Sequence, residues 1–421
     1  MKTLVTICRI VVGLLFIFSG LVKANDPLGL AYKMEEFFEI WNNGLAGSSF
    51  FLKNALTGLF SFLHDHSLFL SVVMIAFEII AGAALLLGWR MKLFSWLLLL
   101  LIVFFTFLTA YAFLAKNADG SPKFTNCGCF GDCLPITPLT SFLKDVALTI
   151  LIVFLFVKRR WIRPVLSYRA NTRIMLLVTI VSFAIQWYTL SYLPVFDCLP
   201  YKKGNNIPEQ MKKPANAVPD STVITFVYSK QGRQLEFTSD RFPADFDSTY
   251  QFVSRYDKVV RKGKNNVPPI SGFILRGATD QDSAGIVLAQ PYAILLYCED
   301  FSVPVSKWKD KFAALYTAAR EKGIPVYAIT RQREQAIAHF AGTPLAGIPV
   351  FTSDNTAIRT AARTNPCVYL LKEGTILGKW SHHGLSKATR QVRTLVVPQP
   401  VLPPVIPADS IPAPLENNKI K

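Results

Sequence analysis

Residues 67–88, SLFLSVVMIAFEIIAGAALLLG, decide the fold, because this apolar stretch is long enough to cross a bilayer as one helix. A spanning helix needs about 20 predominantly apolar residues. Stretches of similar character lie at about 4–22, 93–115, 141–157 and 174–195. Since 51% of the 421 residues are hydrophobic, an ordinary soluble protein is excluded. The sequence predicts an α-helical transmembrane bundle of about five spans.

Basic residues concentrate in two connections between the predicted spans. They are Arg90 and Lys92 in the shorter connection, and Lys158, Arg159, Arg160, Arg163, Arg169 and Arg173 in the longer one. Loops rich in Lys and Arg stay on the cytoplasmic side. No A-x-A-like cleavage site follows the first stretch, so we interpret it as a retained span. These features predict a multi-pass protein of a bacterial-type inner membrane, with a cytoplasmic N-terminus and a periplasmic C-terminal domain.

The chain divides into five segments by composition and pattern. They are a four-helix membrane domain at 1–160, a basic loop and fifth helix at 161–198, a tether and β-rich segment at 199–290, an α/β domain at 291–385, and a Pro-rich tail at 386–421. Alternating residues around Lys230-Gln231-Gly232 predict a hairpin in the β-rich segment. The α/β segment alternates strand and helix signals in the order βαβαβαββ.

The formal net charge of +17 raises the question of nucleic acid. In the exported half, however, basic residues are mixed with acidic ones and form no run longer than two. This pattern favours a solvated or lipid-facing surface. The sequence therefore predicts a lipid membrane as partner, and no nucleic acid.

Six of the seven cysteines fall in segments predicted to be exported, and Cys8 lies near the cytoplasmic end of the first span. Thiols oxidise outside the cytoplasm, so this distribution is typical of a protein that bears or handles disulfides. Three of them, Cys127, Cys129 and Cys133, lie within TNCGCFGDCLP at 125–135. The residues DCLP recur at 197–200, which makes Cys198 a candidate partner for this loop.

Three functions are open for the C-x-C-x3-C loop. A disulfide between Cys127 and Cys129 would close a small, strained ring of the kind that exchanges readily, with Cys133 as a resolving thiol. A single disulfide could instead only pin the loop. Thiolates also bind soft metals, but a closed site needs a fourth ligand such as Cys198. The redox interpretation is preferred, and no metal is predicted.

Glu78 is an ionisable residue halfway along the second predicted span. Charged groups at this depth usually face the bundle interior or a polar cavity. Lys23, at the end of the first span, is a possible partner because its long stem can reach inward. The sequence favours a structural bond between helices over a proton or quinone site.

The membrane half resembles the DoxX/MauE superfamily. The resemblance lies in RIVVGLLFIFSGLVKANDPLG at 9–29, FEIIAGAALLLGW at 77–89 and NCGCFGDCLPITPLTSFLKDVAL at 126–148, and it covers roughly residues 1–160. MauE-type proteins of methylamine utilisation are associated with the maturation of disulfide-rich periplasmic enzymes. The resemblance therefore implies a role in thiol–disulfide chemistry for the cysteine loop.

The α/β segment resembles a thioredoxin-like domain of the TlpA/ResA kind. Pro366 matches the cis-proline of that family, but Phe301 to Pro304 stand where a Cys-x-x-Cys is expected. Cys298 and Cys367 fall on strands that are antiparallel neighbours in this fold, which makes them a candidate disulfide. Two buried free thiols, a structural disulfide and a redox pair all remain open.

The function predicted from these features is that of a membrane accessory protein for thiol–disulfide exchange, redox homeostasis or maturation of exported proteins. Cys127, Cys129 and Cys133 are the candidate exchange thiols, and exported thiol or disulfide proteins are the expected partners. A membrane quinone is a possible electron carrier, and no cofactor is certain. The alternative is a membrane scaffold with a structural cysteine loop and a redox-inert interaction domain. Whether the protein is an enzyme, such as a membrane thiol–disulfide oxidoreductase, is left open.

Overall fold

The computed structural model describes residues 1–47, 49–117, 122–124, 128, 131, 133, 134, 136–261, 263, 265–278 and 280–397. The candidate thiols Cys127 and Cys129 and most of the predicted Pro-rich tail lie outside the described residues.

Helices build the first half of the chain. In chain order they are α1 (Lys2–Ala24), α2 (Pro27–Ala46), α3 (Lys53–Asp65), α4 (Ser67–Leu87), α5 (Met91–Leu114), α6 (Pro138–Val157) and α7 (Tyr168–Tyr192). Among the described residues, α1, α4, α5, α6 and α7 are the helices long and apolar enough to cross a membrane. The predicted five-span bundle is confirmed.

Helices α1 and α4 approach each other closely because glycines line their contact. A side chain at Gly82 would place its Cβ 2.8 Å from the carbonyl oxygen of Gly13, and one at Gly20 would meet Ile79 at 2.5 Å. Small residues allow backbones of membrane helices to meet in this way. The glycines of the quoted α1 and α4 motifs therefore set the distance between these two spans.

The connection between α1 and α4 holds α2 and α3. Helix α2 begins at Pro27 because the Asp26 side chain accepts a hydrogen bond from the Gly29 amide at 3.1 Å and proline suits the first helical position. Helix α2 packs on α4, and its buried residues include Ala31, Met34, Phe37 and Phe38. The Phe37 ring stacks on Phe124. No residue of α3, all of which the structure describes, is buried.

A three-stranded antiparallel sheet follows the bundle. After the short helix α8 (Ile207–Gln210), the strands are β1 (Ser221–Lys230), β2 (Arg233–Thr238) and β3 (Gln251–Arg261), in the order β2-β1-β3. Lys230 pairs with Arg233 across a turn in which Gln231 and Gly232 both have positive φ. The predicted hairpin is present at the predicted residues.

The C-terminal half is an α/β domain with a five-stranded sheet. After α9 (Ala284–Leu288) its elements are β4 (Ala293–Cys298), α10 (Lys309–Glu321), β5 (Val326–Thr330), α11 (Arg333–Phe340), β6 (Val350–Thr352), α12 (Asn355–Ala361), β7 (Cys367–Lys372), β8 (Thr375–Ser381) and α13 (Leu385–Thr394). The strand order is β6-β5-β4-β7-β8, with β4, β5 and β6 parallel and β7 and β8 antiparallel. The Asn365–Pro366 bond before β7 is cis. This is the predicted thioredoxin-like arrangement.

Residues on both sides of 291–385 pack on the five-stranded sheet. All six residues of β4 are buried, so both faces of the sheet need cover. One face packs on α10 and α13, and α13 occupies residues that were assigned to the Pro-rich tail. The other face packs on residues of the predicted tether segment, among them Tyr201, Ile207, Phe273 and Leu275.

Candidate functional site

A disulfide joins Cys133 to Cys198 at one end of the bundle. Cys133 precedes α6 and Cys198 follows α7, and their Cα atoms are 4.9 Å apart. We call this end, where α1 and α7 finish and α4 and α6 begin, the disulfide end. Cys198 is exposed and Cys133 is half-buried, so Cys198 is the more exposed residue of the pair. An exposed disulfide is open to attack by an external thiolate.

Asn25 holds the segment that carries Cys198. Its side-chain Nδ2 donates to the Phe196 carbonyl at 2.8 Å, and its Oδ1 accepts from the Phe196 amide at 2.9 Å. The same Nδ2 lies 4.0 Å from the Cys133 sulfur. Asn25 therefore fixes the backbone two residues before Cys198 and lies beside the Cys133 sulfur.

Arg359 of α12 joins the α/β domain to helix α2. Its Nη1 lies 2.6 Å from Oε2 of Glu35, and its Nε lies 2.6 Å from Oε1 of Glu299. The Tyr32 hydroxyl of α2 donates to Glu299 at 3.0 Å, and the guanidinium of Arg359 stacks over the Tyr32 ring. Burial and the Glu299 carboxylate raise the pKa of Tyr32 well above its ordinary value, so the phenol stays a donor.

Two more ion pairs cross between the domains beside the disulfide. Arg363 pairs with Asp26 at 2.8 Å, and Lys379 of β8 pairs with Asp197 at 2.9 Å. Asp197 is the residue before Cys198, and Asp26 follows Asn25. The edge of the α/β domain that carries cis-Pro366 is therefore turned towards the disulfide end of the bundle.

The turn at the position of the Cys-x-x-Cys of thioredoxin-like proteins is stabilised by hydrogen bonds and ring packing. Asp300 accepts hydrogen bonds from the Ser302 amide at 2.9 Å and from Asn365 Nδ2 at 2.5 Å. The Phe301 ring packs on His339, with 4.5 Å between ring centroids. These contacts fix the turn against the cis-proline loop.

Cys298 and Cys367 are free, buried thiols, and the candidate disulfide between them is not formed. Cys367 is paired with Tyr297, one residue before Cys298. Because side chains alternate along a strand, this register places the two thiols on opposite faces of the sheet, in different cores. Burial raises the pKa of Cys367 to about 11 and raises the pKa of Cys298 further. Both are therefore poor nucleophiles in the folded protein.

Glu78 forms a buried ion pair with Lys23, with 2.6 Å between Oε2 and Nζ. The two side chains are only 5% and 4% exposed. A second buried acid, Asp145 of α6, accepts from the Thr109 hydroxyl at 3.1 Å and lies 2.9 Å from the Lys144 ammonium. Sequence reasoning missed Asp145, although a charged residue in the KDVAL start of the fourth span is a signal of the same kind.

Both acids line one cavity of about 70 Å³ inside the bundle, which is room for a few water molecules. Gly128, the residue between Cys127 and Cys129, also lines it, with Lys33 packed against the glycine. Among the described residues, no group of three His, Cys, Asp or Glu side chains is placed to hold a metal ion.

The membrane half matches a family model described as methylamine utilisation protein MauE, over residues 1–158. Residues 1–158 are a MauE-like membrane domain. A second model, a domain of unknown function (DUF8463), matches residues 222–262, which include the strands of the three-stranded sheet. The chain is thus a MauE-like domain fused to a thioredoxin-like α/β domain, with the three-stranded sheet between them in sequence.

Two known proteins are similar to parts of this chain. Protein TlpB of Flavobacterium psychrophilum is 39% identical over 59 residues, which are 14% of this chain and 15% of that protein. A crystal structure of a thioredoxin-like protein from Bacteroides caccae aligns at 12% identity with a TM-score of 0.23, covering 83% of this chain and 87% of that one. The chain spans only about 15% of the length of TlpB. Its thioredoxin-like assignment rests on the strand order and on the cis-Pro366 bond.

Proposed function

We propose that this protein exchanges disulfides with exported proteins at the outer face of the membrane, through Cys133 and Cys198. The observation that supports this most is the exposed disulfide at the end of a MauE-like bundle, beside the cis-proline edge of a thioredoxin-like domain. A disulfide needed only as a staple would gain from burial, whereas one that exchanges must be reached.

The proposed exchange starts at Cys198, the more exposed cysteine of the pair. A thiolate of the exported protein attacks Cys198, and Cys133 leaves as a thiolate that takes up a proton. A second thiol of the exported protein then attacks its own sulfur in the mixed disulfide and releases Cys198. The exported dithiol is oxidised, and Cys133 and Cys198 are reduced. Cys127 and Cys129 are proposed as further exchange thiols on the same loop.

The proposed orientation places the disulfide end outside. The basic connections at Arg90 and at 158–173 lie at the opposite end of the spans, where Arg9 donates from Nε to the Leu85 carbonyl at 2.8 Å. Attachment of a membrane-impermeant maleimide to the Cys133→Ser variant tests this. Labelling of Cys198 in intact cells is expected, and labelling only after lysis would reverse the orientation.

The thioredoxin-like domain acts in this proposal as a fixed platform and not as a second redox centre. Its Cys-x-x-Cys position holds Phe301 to Pro304, and the edge around cis-Pro366 is bonded to α2. These contacts favour a scaffold role for this domain, in which it presents exported proteins to Cys198.

Trapping tests the exchange. In the Cys133→Ser variant the Cys198 thiolate can attack a disulfide of an exported protein, which is the reverse of the proposed reaction, and a thiol of that protein leaves. Without Cys133 to complete this reverse exchange, the mixed disulfide is expected to accumulate. The Cys133→Ser/Cys198→Ser variant is the matched control and should lose the Cys198 adduct. Non-reducing gels followed by mass spectrometry read the result. If neither the Cys133→Ser nor the Cys198→Ser variant forms an adduct, the exchange function is rejected and a purely structural disulfide remains.

A further inference from the structure

An apolar groove of about 570 Å³ ends at the Cys133–Cys198 disulfide. Its walls come from the ends of α1 and α7 and from the segment that leads to Cys198. The described residues that line it are Leu21, Val22, Asn25, Cys133, Ile185, Thr189, Val195, Phe196 and Cys198. The volume falls in the range of small-molecule sites, about 300–1,000 Å³.

The groove lies on the lipid side of the bundle. Helix α7 packs mainly on α4, and its contact with α1 is slight, which leaves the space between α1 and α7 open. Leu21 on one wall is exposed, and Val195 and Phe196 at the lip are 61% and 73% exposed. Since α1 and α7 are both membrane-spanning helices, the opening faces hydrocarbon or its boundary with the head groups.

Among the described residues that line the groove, the side chains of Thr189 and Asn25 are bonded within the protein. The Thr189 hydroxyl donates to the Ala24 carbonyl at 3.0 Å, and Asn25 is bonded to Phe196 on both sides of its amide. A charged ligand would lose its hydration here without compensation. An extended peptide would leave backbone groups unpaired against lipid. The groove therefore suits an apolar molecule that arrives through the membrane.

We propose that this groove binds the head of a lipid-soluble quinone, which re-oxidises Cys133 and Cys198. The inference rests on the proposed exchange function, because exchange leaves this pair reduced. A quinone combines an apolar body with the capacity to accept two electrons and two protons. The disulfide forms the end wall of the groove, so a head group seated there meets the two sulfurs.

The electrons and protons balance in a single turnover. The two thiols of Cys133 and Cys198 lose two electrons and two protons, and the bond between their sulfurs forms. The two quinone oxygens take up these electrons and protons, and the product is the hydroquinone. No other oxidant is required.

Filling the groove tests the proposal. Ile185→Trp places an indole in the groove wall, and Ile180→Trp places one on an exposed position of the same helix as the matched control. Purified full-length protein in detergent is reduced, freed of reductant without oxygen, and mixed with decylubiquinone. Quinol formation is followed by ultraviolet absorbance, and re-formation of the disulfide by alkylation and mass spectrometry.

The expected result is one quinol for each disulfide formed, with saturation in decylubiquinone. Ile185→Trp should raise the half-saturating concentration about tenfold, which corresponds to about 1.4 kcal/mol of binding, and Ile180→Trp should leave it unchanged. Saturable binding of decylubiquinone to the Cys133→Ser/Cys198→Ser variant is expected as well, since the groove remains.

Failure here can be told apart from failure of the exchange function. If the mixed disulfide is trapped but decylubiquinone neither saturates nor distinguishes the two tryptophan variants, the groove holds lipid chains and the quinone proposal is overturned. If decylubiquinone binds saturably and no mixed disulfide forms, the groove stands as a binding site and the exchange proposal is lost.

Discussion

Arg359 and Glu35 join the thioredoxin-like domain to helix α2, with 2.6 Å between the guanidinium Nη1 and the carboxylate Oε2. Arg359 also pairs with Glu299 on its own domain, so one guanidinium serves two carboxylates. The three side chains are largely buried, which makes the contact less sensitive to screening than a surface pair. The contact fixes the position of the cis-Pro366 edge over the disulfide end.

Removing this contact is expected to free the domain. Arg359→Ala should weaken docking by about 1–3 kcal/mol, because it leaves Glu35 and Glu299 without their charged partner. Hydrogen exchange of α2 and α12 measures the loss. Lys212→Ala removes the solvent-exposed pair with Glu209 and is the control, with an expected effect below about 1 kcal/mol. Equal protection in Arg359→Ala and the parent protein would contradict a docking role.

Because Lys23 and Glu78 form a buried ion pair, the effects of replacing them on stability should be far from additive. Lys23→Met alone should destabilise the bundle by about 3–5 kcal/mol, because it leaves the Glu78 carboxylate unpaired inside the bundle. Lys23→Met/Glu78→Met should recover most of this loss, since both charges are gone. Thermal unfolding in detergent measures the series.

The same substitutions separate a structural pair from a functional one. Glu78→Gln keeps the shape of the side chain and removes its charge. If this variant unfolds like the parent protein but loses exchange activity, the structural interpretation of Glu78 is wrong. Recovery of both stability and exchange in the double methionine variant would support it.

Much of this architecture follows from local sequence. The remaining parts could not be predicted, and the reason is physical. The five spans, the hairpin turn at Gln231-Gly232 and the βαβαβαββ order are local patterns of hydrophobicity and turn residues. The position of Cys298 against Cys367 was missed because a shift of one residue in register moves a side chain to the other face.

Long-range contacts were harder to foresee. Lys23 was identified as a partner of Glu78 because a charge inside a span demands one. Glu35 and Arg359 do not need a charged partner on sequence grounds, since water can solvate charged residues on helices outside the spans. Their pairing becomes visible only when the two domains are placed together.

The thiols of Cys298 and Cys367 are expected to stay unreactive in the folded protein. Burial raises the pKa of Cys367 to about 11, against about 8.5 for a free thiol, so near neutral pH it stays protonated. Alkylation with iodoacetamide should modify Cys198 in the Cys133→Ser variant and spare both buried thiols until the protein is unfolded. Modification of Cys367 at the same rate as Cys198 would contradict its burial.

The raised pKa also fixes the sign of a pH effect. The folded protein holds the Cys367 proton more tightly than the unfolded chain, so the stability due to this group falls as pH rises from the unfolded value towards about 11. In Cys367→Ala the decrease of stability with pH should be smaller. The unfolding temperature should therefore drop less across this pH range than in the parent protein. A parallel loss in both proteins would show that other groups cause it.

Asn25 is expected to control how readily the disulfide opens. Asn25→Ala removes both bonds to Phe196 and should weaken the hold on the Cys198 segment by about 1–3 kcal/mol. A segment that opens more often exposes its disulfide more often, so reduction by dithiothreitol should be faster, with the spans unchanged.

Asn42→Ala, which removes an amide bonded to Ser61 on the exposed helix α3, is the matched control and should leave the rate of reduction unchanged. Quenching with a maleimide at timed intervals gives both rates. If the disulfide of Asn25→Ala is reduced as slowly as that of the control, the disulfide is already fully accessible in the parent protein. The hydrogen bonds of Asn25 to Phe196 then serve to position Asp197 for its ion pair with Lys379.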